Sequence, residues 1–209
     1  MGQQLAKEMR SPSQGSCVGW VAQKIMSSGS GTDSIHAVSS IKLETEKPVI
    51  VEIGPGAGYA LRSLIKSFEP SRVYGIEISD AFRKGLSEDE EFAPLMKDEI
   101  LSLHGDDAKD LSFIPDNSVD LIFAFNVIYF LDPLDAYLKE AHRMLKPGGQ
   151  INFGVKDMAK NLDNSIYINT DWEVCLEKMK SAGFDTVEKG EVKLDGNLAY
   201  IPLTAMKKE

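Results

Sequence analysis

Cysteine, histidine and cationic side chains are all scarce in this chain of 209 residues. There are two cysteines, Cys17 and Cys175, and three histidines, His36, His104 and His142. No Cys/His grouping has ligand spacing, so no metal site and no disulfide framework are expected. Two isolated thiols fit a reducing, cytoplasmic setting. Lys and Arg total 23 against 32 Asp and Glu, a net charge of −9. That sign opposes a phosphate backbone, so no nucleic-acid partner is expected. No apolar run approaches the ~20 residues of a membrane span, and residues 1–16 lack the apolar centre of a secretory signal. Met1-Gly2 opens like a myristoylation site, but Ala6 stands where Ser or Thr is needed. No membrane partner is therefore expected.

The informative stretch is Val49-Ile50-Val51-Glu52-Ile53-Gly54-Pro55-Gly56-Ala57-Gly58. Five residues, four of them apolar, predict a buried strand. Three glycines spaced two apart then predict a tight turn where backbone closely approaches a ligand. Leu61, Leu64, Ile65 and Phe68 follow at helical spacing. No Lys-Ser or Lys-Thr follows the loop, which excludes a triphosphate P-loop. Tyr59 occupies the place of the third glycine of the dinucleotide fingerprint, and Glu52 before the turn would repel a pyrophosphate. The Glu52 carboxylate suits an ammonium-bearing ligand instead.

A second apolar strand, Arg72-Val73-Tyr74-Gly75-Ile76-Glu77-Ile78-Ser79, ends in a carboxylate. A carboxylate at this offset is placed to accept hydrogen bonds from a ribose diol, and Ile78 is placed to lie against a purine. A third strand, Ile100-Leu101-Ser102-Leu103-His104, precedes Gly105-Asp106-Asp107-Ala108. A carboxylate there reaches the exocyclic amine of adenine. Asp107, with the Ala108 backbone, is the preferred reader, and the adjacent Asp106 remains the alternative.

With these blocks in order the chain resembles the class I S-adenosylmethionine-dependent methyltransferases, in the branch called UbiE-like or methyltransferase type 11. Val51 to Gly58 resembles motif I, and Gly75-Ile76-Glu77-Ile78-Ser79 resembles the ribose-binding strand end. Asp107-Ala108-Lys109-Asp110-Leu111 with Phe113 is similar to the adenine loop. Residues 115–122 resemble the turn into strand four, and Leu145-Lys146-Pro147-Gly148-Gly149 the turn before strand five. The resemblance covers residues 48–155 and extends more loosely over the tail. It implies S-adenosyl-L-methionine as cofactor. It also implies a Rossmann-like α/β three-layer sandwich, with a mostly parallel seven-stranded sheet whose last strand is antiparallel. The implied cofactor residues are Glu52, Gly54, Pro55, Gly56, Gly58, Glu77, Ile78, Asp106, Asp107, Ala108 and Asn126.

Residues 1–45 are expected to form an N-terminal helical cap or lid, with helices near 17–26 and 33–43. A Ser/Gly hinge at residues 27–31 separates them. Residues 46–209 are expected to form the methyltransferase domain. Strand four spans residues 119–125, and a helix after Pro133 presents Leu134, Tyr137, Leu138, Ala141 and Leu145. Thr170-Asp171-Trp172-Glu173 reads as a capping box for a helix ending at Gly183. Two last strands fall near 185–192 and 198–206, and the polar segment 157–169 reads as a loop over the pocket.

Catalytic residues are harder to place. Asn126-Val127-Ile128-Tyr129 retains the Asn and Tyr of the Asn-Pro-Pro-Tyr block of amino-methyltransferases but neither proline, so that substrate class is not carried over. Asn126 is assigned to the cofactor's amino-acid end or the pocket floor. Tyr129 is a candidate for the pocket wall, against a plain core aromatic. His36 is the one histidine placed to approach a substrate, against a surface position. The function expected is methyl transfer to a small-molecule acceptor on O, N, S or C. A protein methyltransferase, a non-catalytic cofactor-binding scaffold and an NAD-dependent oxidoreductase are the alternatives, the last disfavoured by Tyr59.

Overall fold

The computed structural model describes residues 31–156, 167–194 and 197–208. The expected helix at 17–26, the start of the Ser/Gly hinge and most of the 157–169 loop lie outside the described residues.

Strand β1 (Val49–Ile53) sits centrally because both of its faces are apolar. It pairs in parallel with β2 (Arg72–Ile76) on one side and β4 (Val119–Phe125) on the other, with Ile50 opposite Val73 and Leu121. Beyond β2 lies β3 (Leu101–His104), and beyond β4 lies β5 (Leu145–Val155). The remaining strands are β6 (Phe184–Lys189), β7 (Val192–Leu194) and β8 (Asn197–Lys207). β8 runs antiparallel to β5 and β6, giving the order β3-β2-β1-β4-β5-β8-β6, with β7 paired only to β8. The sheet is the expected mostly parallel one, with an eighth short strand added. That strand exists because the predicted single strand near 185–192 breaks at Gly190, whose N–H donates to the Pro202 carbonyl at 2.9 Å.

Six α-helices and one 3-10 helix (Ile128–Phe130) complete the described chain, the α-helices being α1 (Gly31–Ser39), α2 (Tyr59–Phe68), α3 (Asp80–Ser87), α4 (Phe92–Lys97), α5 (Leu134–Met144) and α6 (Trp172–Ser181). They divide between the two faces of the sheet. Ile50, Leu121 and Phe123 pack with Val38, Leu61, Leu64, Leu86 and Phe92 from α1 to α4. The alternate strand residues Val51, Ile53 and Ile122 pack with Leu138, Met144, Cys175 and Met179 from α5 and α6. Period-two burial on each strand thus makes two cores and three layers. The helix at 33–43 proves shorter than expected, ending at Ser39. The N-cap of α6 is Asp171 rather than Thr170, its carboxylate accepting from the amides of Glu173 and Val174.

The chain leaves β1 toward β2 and β3, then returns to add β4 and β5 on the opposite side. The strand order therefore reverses between β1 and β4, and the carboxyl ends of these strands open a crevice there. The amino ends are closed by a different device. Asp120 accepts from the Val49 amide at 2.8 Å and from Lys146 Nζ at 2.8 Å.

Candidate functional site

A cavity of about 360 Å³ lies at the carboxyl ends of β1, β2 and β4. Its floor is the glycine turn. Gly54 donates to the Ile76 carbonyl and Gly58 to the Pro55 carbonyl, each at 2.8 Å. All three glycines have positive φ, at 70°, 53° and 81° for Gly54, Gly56 and Gly58. Their surroundings differ. A Cβ on Gly54 would lie 2.6 Å from Val127 Cγ2, and one on Gly58 2.7 Å from Leu86 Cδ2. A Cβ on Gly56 would meet nothing within 4 Å, because that peptide borders the cavity.

Two buried carboxyls stand behind this turn. Glu77 follows β2, and its Oε2 accepts from the Gly56 amide at 3.0 Å while Oε1 accepts from the Ser79 amide at 2.8 Å. Burial raises its pKa against the pull of those two bonds and of Arg83. Each oxygen keeps a second lone pair for a ligand hydroxyl. Glu52, inside β1, is 2% exposed, and its Oε2 has no hydrogen-bond partner. Burial, and then the neighbouring charge of Glu77, push its pKa well above the usual carboxylate range. An orphan buried acceptor on a cavity wall is costly unless a ligand donor satisfies it.

The walls are built from the loops after β2, β3 and β4. Ile78 and Ala108 border the cavity, Ile78 with 42% of its surface exposed. Asp107 also lines it. Burial by itself would raise the Asp107 pKa, but a bond from the Tyr137 hydroxyl and the approach of Lys109 Nζ at 3.0 Å hold it low. Asn126 has a left-handed backbone (φ 58°), donates its N–H to the Gly154 carbonyl and accepts from the Lys156 amide at 3.1 Å. It ties the ends of β4 and β5 together at the cavity rim.

The structure therefore gathers Glu52, Gly54, Pro55, Gly56, Glu77, Ile78, Asp107, Ala108, Asn126 and Tyr129 around one cavity. Three expected residues stand elsewhere. Gly58 caps α2 and packs under Leu86 and Phe92. Asp106 turns outward, 53% exposed, toward His104 at 4.0 Å. His36 turns away to the Tyr200 hydroxyl at 3.0 Å. Tyr129 is buried, and its hydroxyl donates to the Lys156 carbonyl at 2.6 Å.

Sequence reasoning did not single out Tyr59, Phe125, Lys156 or Tyr167 as wall residues, nor Ser34 of the cap. Phe125 and Lys156 end or follow β4 and β5, so the rule that ligands sit at strand carboxyl ends pointed to them. Ser34 reaches the wall because α1 is drawn over the rim, where Asp33 pairs with Lys156 Nζ at 2.8 Å. Among the described residues, no cluster of three or more His, Cys, Asp or Glu offers a metal site, and no helix is long and apolar enough to cross a membrane.

Comparison with known proteins agrees with the fold. Residues 51–153 match a family described as a methyltransferase domain. The chain is 31% identical over 118 residues to malonyl-[acyl-carrier protein] O-methyltransferase 1 of Coxiella burnetii, an alignment covering 56% of this chain and 37% of that protein. It is 28% identical over 132 residues to the chloroplastic 2-methyl-6-phytyl-1,4-hydroquinone methyltransferase of Spinacia oleracea, covering 62% and 36%. The chain thus spans about a third of the length of these curated relatives. Among solved structures, it resembles the putative methyltransferase of Haloferax volcanii in complex with the Trm112 methyltransferase activator. The TM-score is 0.71 at 20% identity, over 90% of this chain and 94% of that one. Over residues 51–153 the chain carries a methyltransferase domain of the class I S-adenosylmethionine-dependent kind.

Proposed function

We propose that the protein transfers a methyl group from S-adenosylmethionine to a small-molecule acceptor, through an O, N, S or C nucleophile. The observation that carries this reading is the junction of Gly56 and Glu77. A bare peptide and a buried carboxyl meet there at a cavity wall, with nothing within 4 Å of the place a side chain would fill.

The residues fit the cofactor group by group. Glu52, with its orphan oxygen, would receive the ammonium of the amino-acid end, beside the peptides of Gly54 and Gly56. The two lone pairs left on Glu77 would receive the ribose hydroxyls. Ile78 and Ala108 would bracket the adenine, and Asp107 would accept from its amine. When bound, the cofactor supplies a methyl carbon made electrophilic by a sulfonium. The acceptor nucleophile forms a bond to that carbon while the carbon–sulfur bond breaks in line.

The chain's own contribution is alignment and exclusion of water. Phe125, Tyr59, Phe130 and Tyr167 make the acceptor end of the cavity aromatic, and α1 covers it. The Tyr129 phenol proton is engaged by the Lys156 carbonyl, and His36 lies off the wall. Neither is assigned the role of general base. A small acceptor is supported by the aromatic wall, and by the relatives whose names specify a hydroquinone and a malonyl group on an acyl-carrier protein.

Calorimetry with S-adenosylmethionine, set against NAD, is the first test, followed by incubation with a metabolite extract. Binding of S-adenosylmethionine alone, with S-adenosylhomocysteine and a newly methylated small molecule appearing in the extract, is the expected result. Binding without turnover on extract or peptide arrays would leave only a cofactor-binding scaffold. Methylation confined to peptides would replace the small acceptor by a protein.

A further inference from the structure

The charged side chains that line the cavity are sorted by place. Its carboxyls, Glu52, Glu77 and Asp107, stand in or after β1, β2 and β3, in the half that the cofactor would fill. Among the described residues the one cation on the wall is Lys156, at the other end, directly after β5. The peptide of Lys156 is anchored on both sides. Its N–H donates to Asn126 Oδ1 at 3.1 Å, and its carbonyl accepts from the Tyr129 hydroxyl at 2.6 Å. Both partners belong to the turn after β4, so the ends of two strands fix where this side chain begins. Its Nζ lies at the cavity rim, 2.8 Å from Oδ2 of Asp33 on α1. The protein's own carboxylate thus shows that a carboxylate fits against this ammonium.

The same end of the cavity is aromatic, and its rings are seated by backbone. The Phe125 ring lies so close against Gly154 that no Cβ would fit there, and its centroid is 5.6 Å from that of Tyr200. The Tyr59 ring lies 3.4 Å from the place of a Cβ on Gly31, in the first turn of α1. Phe130 and Tyr167 pack together with centroids 5.4 Å apart. The described wall here therefore offers flat apolar faces and a positive charge, and no carboxyl. Ring faces favour a flat conjugated body. An ammonium shielded from bulk water favours an anion over a neutral group of the same shape, because its attraction to the charge is less screened.

We propose that Lys156 determines acceptor specificity, and that the acceptor is a flat aromatic carboxylic acid whose carboxylate takes the place of Asp33 on Lys156. The proposal rests on the reading of the cavity as a methyl-transfer site in which the cofactor fills the half bearing Glu52, Glu77 and Asp107.

The test measures binding by calorimetry to the protein saturated with S-adenosylhomocysteine. The probes are acid and amide pairs: benzoate with benzamide, cinnamate with cinnamamide, and 2-naphthoate with 2-naphthamide. In at least one pair the acid should bind about tenfold tighter than its amide, the scale of one hydrogen bond to a charged group. Lys156→Met should bring that ratio close to one, and Lys156→Arg should keep it. Asp33→Asn removes the competing carboxylate and should raise the ratio about threefold, the scale of a partly exposed ion pair. Mere loosening of α1 would change acid and amide alike and leave the ratio where it was. A panel with no preference for any acid, or a preference that survives Lys156→Met, overturns the proposal. So does a loss of about tenfold in S-adenosylhomocysteine affinity in Lys156→Met, which would assign the ammonium to the cofactor's own carboxylate. Failure of the unaltered protein to bind S-adenosylhomocysteine at all would instead bring down the methyl-transfer reading, before any acid is added. Lys156→Gln, equally without charge, carries the same expectation should the methionine variant fail to fold.

Discussion

At the scale of single residues, the glycine turn separates into structural and ligand-facing positions. Gly54, Gly56 and Gly58 share a left-handed backbone, so replacing any of them strains the chain by about 1–2 kcal/mol. Only the neighbourhood distinguishes them. Alanine at Gly58 also drives a methyl into Leu86 and Phe92, at 2.7 and 2.9 Å, an overpacking cost of about 1–3 kcal/mol. Alanine at Gly56 meets no protein atom and instead places its methyl where a ligand would lie. Gly58→Ala should therefore lower the thermal midpoint further than Gly56→Ala, while Gly56→Ala should lose more S-adenosylmethionine affinity, about tenfold. Thermal unfolding and calorimetry on both variants check this, and the opposite ranking in either measurement would refute the division. The sequence marks the loop as a ligand turn but does not tell these glycines apart. Leu86 and Phe92 come from two other helices, and their approach to Gly58 is a product of packing rather than of local pattern.

Whole elements show where pattern suffices and where it fails. β1 and β4 were legible to the residue because parallel central strands are apolar on both faces, and turn signals bound them. The end of the sheet was less so. The run near 185–192 carries few strand-forming residues, and Gly190, whose N–H donates to Pro202 of β8, marks the end of β6. Tyr137 lies on the apolar stripe of α5 and reads as core. It borders the cavity only because the chain after β3 folds against that helix. Helix α1 is a further case, since nothing in its short sequence indicates what it covers. It is held by the pair of Asp33 with Lys156, at 2.8 Å and with 20% and 26% of the side chains exposed. A partly exposed pair of this kind contributes roughly 0.5–1 kcal/mol. Asp33→Lys should thus speed amide hydrogen exchange across residues 34–38 about two- to fivefold, and adding Lys156→Asp should restore protection. Unchanged exchange in Asp33→Lys would mean that α1 is seated by buried Ala37 and Val38 and by the His36–Tyr200 bond without help from the ion pair.

For the molecule as a whole, the buried carboxyl pair links stability, ligand and pH. Glu52 has a folded-state pKa raised by burial and by the charge of Glu77. A raised carboxyl pKa contributes stability that is complete below the unfolded value of 4.5 and is lost as pH rises through the folded value. Glu77 is raised in the same direction. The ligand-free protein should therefore lose stability progressively from about pH 4.5 upward, as Glu52 is forced to ionise without a partner. A cofactor ammonium beside Oε2 reverses that penalty, so its binding expels the proton and tightens as pH rises through the same window. At a hundred times its dissociation constant a ligand adds about 2.7 kcal/mol. For a chain of this size that corresponds to a rise of roughly 5–10 °C in thermal midpoint. The rise, measured at fixed S-adenosylmethionine concentration, should be larger at pH 7.5 than at pH 5.5. Glu52→Gln, neutral at every pH, should raise the midpoint of the ligand-free protein at pH 7.5 and shrink the ligand-induced rise. The stabilised variant would then be the weaker binder, because the acceptor left unsatisfied in the empty fold is the one the ligand needs. Should Glu52→Gln leave both the midpoint and the ligand-induced rise unchanged, the carboxyl is neither a cost to the empty fold nor a partner of the ammonium, and the coupling of pH to cofactor binding does not exist.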